Sequence, residues 1–455
     1  MARVGHGTAF VREGPSGAPL PRYRTGTRSG AALRTAGHLS TAQLTVAAVS
    51  LVINVVAART LGPAGRGNIA LLLQLGYLVN MLGLAGVDRA YPVYVPEGRT
   101  ARSATLDMLR LAGPGGVLVL ITVLPLVWSI GAGSSSGPGL TVIAFTLAAI
   151  ALVAGGAVRS AAAASGITGP FLAGTVAAQV VLLAAGALLA AFRVDDPSIW
   201  LLAYALALAV APGLSWALVC RRRAGKTGTD TAHLARSRHL GLRLLPAGVA
   251  SMVMLRADRL LLPWLGSYEQ LGIYIVVATI AEMVAWPVQA WVDARAAGWH
   301  RRHVAGELGI SRPVLCVAAY GLVTGAAMVG CGRLVIGPVF GEDYRDATRL
   351  LLPLAIGAVA YCVSRVAVGL SVATGRARIA LTTDVSAMAV ALACYLALIP
   401  RWGAYGAAVG SAIAYTTGAS LAVIALLAST RRSHQVAANA SALPATNDSV
   451  GAHGT

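Results

Sequence analysis

Apolar residues recur in blocks of about twenty along nearly the whole chain, and a block of that length wound as a helix crosses roughly 30 Å of hydrocarbon. A chain built this way folds as an all-α polytopic membrane protein. Its composition agrees, with 56% hydrophobic and only 12% charged residues among 455, against about a quarter charged in soluble domains. Twelve spans are predicted, at 40–58, 68–87, 111–131, 139–158, 171–192, 198–220, 244–266, 271–292, 313–333, 348–372, 377–399 and 403–429. Residues 1–38 read as a basic cytoplasmic arm, because six arginines sit among Gly, Pro and Ser without the apolar stretch of a secretory signal. Residues 431–455, rich in Ala, Ser and Asn, read as a disordered cytoplasmic tail.

The formal charge of +19 would suit a nucleic-acid partner if it formed a surface, but it is scattered through the short connections between spans. Lys and Arg are retained on the cytoplasmic side of a membrane. With the amino terminus inside, the inner segments hold 26 basic residues and the outer segments 7, with three more inside helices. The imbalance places both termini in the cytoplasm and excludes nucleic acid as a partner. Trp128, Trp200, Trp264 and Trp402 fall near outer ends of spans, and Trp216, Trp291 and Trp299 near inner ends, where indole rings favour the headgroup region.

The connection 221–243 carries seven of the basic residues and separates a six-helix bundle at 39–220 from another at 244–430. Short internal echoes suggest duplication. Leu61-Gly62 followed by Gly67 is matched by Leu265-Gly266 followed by Gly272, and Ala164-Ser165-Gly166 by Ala373-Thr374-Gly375. Six helices per half make the repeats parallel, related by a pseudo-two-fold axis along the membrane normal.

Several chemistries are disfavoured by what the sequence lacks. The eight histidines lie in tails, loops or their edges, which disfavours intramembrane haem ligation. Cys220, Cys316, Cys331, Cys362 and Cys394 form no C-x-x-C pair and read as plain core residues rather than zinc ligands. Ala224-Gly225-Lys226-Thr227 resembles the end of a phosphate loop, but Cys220 stands where the first glycine is required. Outer loops are short, so no outer domain is available for a glycan polymerase or ligase. We expect no enzyme, no catalytic residue, no cofactor and no metal.

Six ionisable residues fall inside predicted spans: Arg256, Asp258, Arg259, Glu282, Arg365 and Asp384. At about 2.5–3.5 kcal/mol each on the insertion scale, together they would cost roughly 15–20 kcal/mol against lipid, comparable to or above a whole folding free energy. Most must face a bundle interior or a watery cavity. Glu282 is the most central, and Asp258 lies near its depth on the preceding span, where a shared proton or cation site is expected. Arg365 and Asp384 lie at matching depths on consecutive spans, as an ion pair or as substrate contacts. Gly321 with Gly325 and Gly406 with Gly410 have the G-x-x-x-G spacing of close helix packing.

Three stretches resemble one family. Ala58-Arg59-Thr60-Leu61-Gly62-Pro63 with Gly65 and Gly67 is similar to the first two helices of bacterial polysaccharide flippases of the Wzx type. Asp258-Arg259-Leu260-Leu261-Leu262 with Leu265-Gly266, Gly272-Ile273-Tyr274 and Ala278 resembles their seventh and eighth helices, and Gly403-Ala404-Tyr405-Gly406-Ala407-Ala408 their last. The resemblance implies a member of the multidrug, oligosaccharidyl-lipid and polysaccharide exporter superfamily in a bacterial plasma membrane. It implies two six-helix bundles around a cationic cavity that flip an undecaprenyl-diphosphate-linked oligosaccharide to the outer leaflet. Headgroup contacts would then fall to Arg256, Arg259 and Arg365, with Arg59 and Arg89 as further candidates. Coupling to protons or sodium would fall to Asp258, Glu282 and Asp384. Membrane lipids and the glycosyltransferases and glycan polymerase of the same pathway would be its partners. A cation-coupled multidrug exporter of the same fold is the alternative, and would require an acidic cavity; a membrane enzyme of envelope glycan synthesis is the third reading.

Overall fold

The computed structural model describes residues 29–95, 99–221, 232–305 and 307–442. The first 28 residues of the expected basic arm, residues 222–231 of the connection and residues 443–455 of the tail lie outside them. Among the described residues the chain is helical throughout, with no strand. Nine helices among the described residues are long and apolar enough to cross a membrane, and a tenth is α7 (Ala232–Leu265), which bends by 45° near Pro246, where the missing backbone N–H weakens the ladder.

Two of the helices are hairpins, which brings the count of spans to twelve. α1 (Ser29–Leu84) breaks at Gly62, with φ 66°. Arg66 Nε donates to Asn54 Oδ1 at 2.8 Å, a pair that a straight helix would hold about 18 Å apart. α11 (Ala377–Ala442) breaks in the same way at Gly403, with φ 54°, and Tyr395 Oη meets Ser411 Oγ at 2.9 Å instead of about 24 Å. Only glycine takes this left-handed conformation readily, and Pro63, directly after Gly62, opens the second arm with a preset helical φ. The nine-residue loop expected at 59–67 is therefore a one-residue turn, and Arg66 belongs to a helix.

The remaining first-half spans are α3 (Ala101–Gly131), α4 (Gly137–Ser165), α5 (Gly169–Ala191) and α6 (Pro197–Cys220). Those of the second half, after α7, are α8 (Tyr268–Val304), α9 (Ser311–Phe340) and α10 (Leu351–Ala373), with a 3-10 turn at Glu342–Leu350. A short helix, α2 (Val87–Tyr94), lies between α1 and α3. α7 already begins at Ala232, inside the stretch read as a connection, and α11 runs through Ala442, past the point where the sequence suggested disorder. The alanines of 437–442 carry high helix propensity. Of the cysteines only Cys362 is buried, and Cys220, Cys316 and Cys331 are exposed, so the reading of all five as core residues fails for those three.

The two halves meet tightly at the end of the molecule opposite the arginine-rich connections. There a single hydrophobic core joins Leu71, Leu75, Phe145 and Leu201 of the first half to Tyr274, Leu351 and Tyr395 of the second. A Cβ on Gly67 would collide with the carbonyl of Tyr268, and one on Gly272 with that of Pro63. The contact is reciprocal: the shift that carries Pro63 to Tyr268 carries Gly67 to Gly272, as a two-fold axis between repeats requires. Gly166 and Gly375 at the other end also correspond, with φ 71° and 75°.

Toward the arginine-rich face the core divides in two, one part around Tyr91 and Met108 in the first half and one around Val288, Trp299 and Leu370 in the second. At this end a polar strap ties α3 to the start of α7, near where Gly86 also meets Gly241. Asp107, on α3 and fully buried, accepts from Arg99 Nη2 at 2.7 Å and from Tyr91 Oη at 3.0 Å, and sits 3.2 Å from His233 Nε2 at the start of α7. Burial, reinforced by the Asp107 carboxylate, pushes the Tyr91 phenol above its ordinary range and keeps it a donor.

Gly67→Ala must force the joined end apart. Spin labels on the exposed, repeat-related positions Ala64 and Glu269 are expected to show a longer separation in that variant than in the otherwise unchanged chain. An unchanged distance distribution would show that the closure does not depend on this contact.

Candidate functional site

Between the halves, three clefts converge on Arg256. The central one has a volume of about 390 Å³ and is walled by α1, α4 and α5 on one side and by α7 and α8 on the other. Four arginines line it, Arg66, Arg159, Arg256 and Arg259, with Glu282 as the only carboxylate in its wall. A second cleft runs into the second bundle past Asp258, Tyr274, Tyr361 and Tyr415. The third leads toward the arginine-rich face past Tyr77, Asn80 and Arg89.

Glu282 Oε1 receives Arg259 Nη2 at 2.5 Å and Arg256 Nη1 at 2.9 Å. One carboxylate therefore holds two guanidinium groups, and the cluster keeps a net positive charge. Arg259 is the deeper of the two, with its side chain 5% exposed against 28% for Arg256. Arg66 is buried and spends its Nε on Asn54. Among the described residues, Arg66 Nη1 and Arg259 Nε have no hydrogen-bond acceptor. Buried guanidinium donors ordinarily find an acceptor, and here both belong to side chains that line the same cavity.

Asp258 lines the second cleft together with Glu282, but no hydrogen bond joins the two carboxylates. The Asp258 carboxylate accepts the hydroxyl of Tyr274 and, at 2.8 Å, the backbone N–H of Arg259. Ser411 lies 3.3 Å from Tyr274 and 2.9 Å from Tyr395 and extends this network. Both carboxylates bind Arg259, Glu282 at its guanidinium and Asp258 at its backbone N–H. Among the described residues no group of three or more His, Cys, Asp or Glu side chains could hold a metal ion.

The other nominated residues separate. Arg365 Nη2 donates to Asp384 Oδ1 at 2.6 Å, and its guanidinium lies over the Tyr361 ring at 5.2 Å. Tyr361 itself lines the second cleft, so the pair stands behind the cavity wall with its charge compensated. Arg59 lies at the joined end, where it donates to the carbonyls of Val339, at 2.6 Å, and of Pro338. It ties α1 to the end of α9 and is far from the cavity charges. Arg89 does share a cleft with Arg256.

Arg66 and Arg159 were read as loop charges and were missed. Both lie a few residues beyond a predicted helix boundary, and Pro63 was the overlooked signal, since a proline after glycine marks the first position of a new helix.

No family model matches the sequence, and no curated protein matches it. Solved structures do. The chain is similar to an inward-facing multidrug resistance MATE family transporter of the MOP superfamily, with TM-score 0.67 and 14% identity over 87% of this chain and 99% of that one. It is similar to the lipid II flippase MurJ in an inward closed conformation, with TM-score 0.64 and 12% identity over 85% of this chain and 87% of that one. A MOP superfamily transporter from Pyrococcus furiosus, described as having a binding pocket of reversed polarity, aligns with TM-score 0.51 and 14% identity over 88% and 96%. The chain thus has the fold that these transporters share, and two bundles related by a pseudo-two-fold axis agree with it.

Because Arg365 and Asp384 are mostly buried, removing one leaves the other uncompensated. Arg365→Ala is expected to destabilise the protein by about 3 kcal/mol, and Arg365→Ala with Asp384→Ala by less than the sum of the two single changes. Thermal unfolding in detergent measures both, and strict additivity would contradict the pairing.

Proposed function

We propose that this chain is a membrane transporter that flips an undecaprenyl-diphosphate-linked oligosaccharide from the inner to the outer leaflet of a bacterial plasma membrane, with both termini cytoplasmic. The observation that carries the reading is the charge of the central cavity, four arginines against one carboxylate. A diphosphate is the anion that such an array suits, because guanidinium groups bind phosphate oxygens in pairs. Arg66 Nη1 and Arg259 Nε, which lack an acceptor among the described residues, are donors that those oxygens can accept from. Arg256 stands where the cleft from the arginine-rich face joins the centre, so a headgroup entering past Arg89 meets it first. Alternating access moves the bundles 39–220 and 244–430 about the joined end. The resemblance to polysaccharide flippases supports the saccharide, and the shared fold supports transport over catalysis.

Glu282 and Asp258 are the coupling groups. In the empty cavity Glu282 holds Arg256 and Arg259; an arriving diphosphate competes for the same two guanidinium groups and leaves Glu282 free to take a proton or sodium ion. Asp384 stays with Arg365 as a structural pair, and Arg59 serves the closure of the joined end.

Outward exposure of an undecaprenyl-diphosphate oligosaccharide in proteoliposomes tests the proposal. Wild type is expected to accelerate it, and Arg256→Ala to slow it by about ten- to a hundredfold, the loss that accompanies one charged hydrogen-bond partner. Glu282→Gln, which frees both arginines, is expected to retain the headgroup while slowing turnover. Export of a cationic dye with no movement of any lipid-linked saccharide would move the assignment to a multidrug exporter.

A further inference from the structure

A separate concavity with a volume of about 540 Å³ lies at the arginine-rich end of α8 and the start of α9. Trp291, Arg295, Trp299, Arg302 and Arg312 line it, with Glu307 as its one carboxylate. Among the described residues none of the three arginines is within ion-pairing distance of Glu307 or of any other carboxylate. The aromatic pair gives the site a fixed wall. Trp299 is buried, 4% exposed, with its ring against Gly369. Trp291 meets it edge to face at 5.4 Å, and the Arg295 guanidinium lies over the Trp291 ring at 5.8 Å.

Two features indicate what such a wall receives. Indole rings of this kind settle at headgroup depth, and basic pockets between helices at that depth take anionic head groups. The rim also continues into a lipid-facing surface, because Leu315 and Leu322, two turns apart on one side of α9, are 67% and 64% exposed. A phosphate in the concavity would therefore have an apolar track beside it for acyl chains.

We propose that this concavity binds the phosphate of an anionic phospholipid from the leaflet on the arginine-rich side, through Arg295, Arg302 and Arg312, with the acyl chains lying along α9. It is distinct from the central cavity and does not depend on what the cavity carries.

Native mass spectrometry of the full chain, purified and exchanged with equal amounts of phosphatidylglycerol and phosphatidylcholine, tests the site. Wild type is expected to retain phosphatidylglycerol in preference. Arg295→Gln with Arg302→Gln and Arg312→Gln is expected to lose that preference by about fivefold for each arginine, and the corresponding three changes to Lys to keep most of it. A folded triple Gln variant with unchanged preference overturns the proposal, as does displacement of the lipid by millimolar inorganic phosphate, which would assign the pocket to a soluble anion. Should the triple variant fail to fold, quenching decides: brominated phosphatidylglycerol is expected to quench wild-type tryptophan fluorescence more than brominated phosphatidylcholine, with the difference shrinking in Trp291→Phe. Equal quenching by the two lipids overturns the proposal.

Discussion

At the joined end of the molecule the backbone of each repeat touches the other at corresponding places, Gly67 against Tyr268 and Gly272 against Pro63. No side chain fits between them, so the two hairpin-like entries of the bundles come together as closely as backbones allow. The consequences extend through the whole molecule. Above this contact the hydrophobic core is continuous across both halves; below it the core divides, and the space between becomes a cavity. Membrane helices gain little from burying one another, since lipid is as apolar as they are, so close packing at small residues decides where the bundles hold and where they part.

The charges follow from that geometry. An arginine in a membrane helix is costly against lipid, yet Arg66, Arg159, Arg256 and Arg259 share one wet space between the bundles. There their mutual repulsion is only partly relieved by Glu282. This residual positive charge is what the proposed diphosphate reading rests on, since such an array suits a multiply charged anion better than a cation. Asp258 is bound into a tyrosine network beside the same arginines, and Arg365 with Asp384 is neutral as a unit. The three intramembrane carboxylates therefore have different partners: Glu282 two arginines, Asp258 a tyrosine and a backbone N–H, and Asp384 one arginine.

Much of this was legible in the sequence, and where it was not the reason is physical. Span length and the arginine asymmetry predicted the helices, and the short echoes around Gly67 and Gly272 predicted a repeat, which the structure shows as a reciprocal contact. The boundaries failed at Gly62, because a loop was assumed where a single left-handed glycine followed by Pro63 reverses the chain. That error hid Arg66. Depth predicted that most of the intramembrane charges would face an interior or a cavity and that Arg365 and Asp384 would lie level, but not that Glu282 would hold both Arg256 and Arg259. Such choices depend on helix rotation, which periodicity leaves undetermined in spans that are apolar nearly all round. The strap on Asp107 was missed because it joins residues of a short helix, a loop and the start of α7 that have no common sequence pattern.

The central claim is that the cavity selects for a diphosphate. Its most direct test is equilibrium binding of undecaprenyl diphosphate and of the uncharged undecaprenol to the purified protein, for wild type and for Arg66→Ala with Arg259→Ala. The account predicts that wild type binds the diphosphate in strong preference to the alcohol and that the double variant loses this preference while still binding both chains weakly. Equal binding of the two lipids by wild type, or a preference unchanged in the double variant, would contradict it.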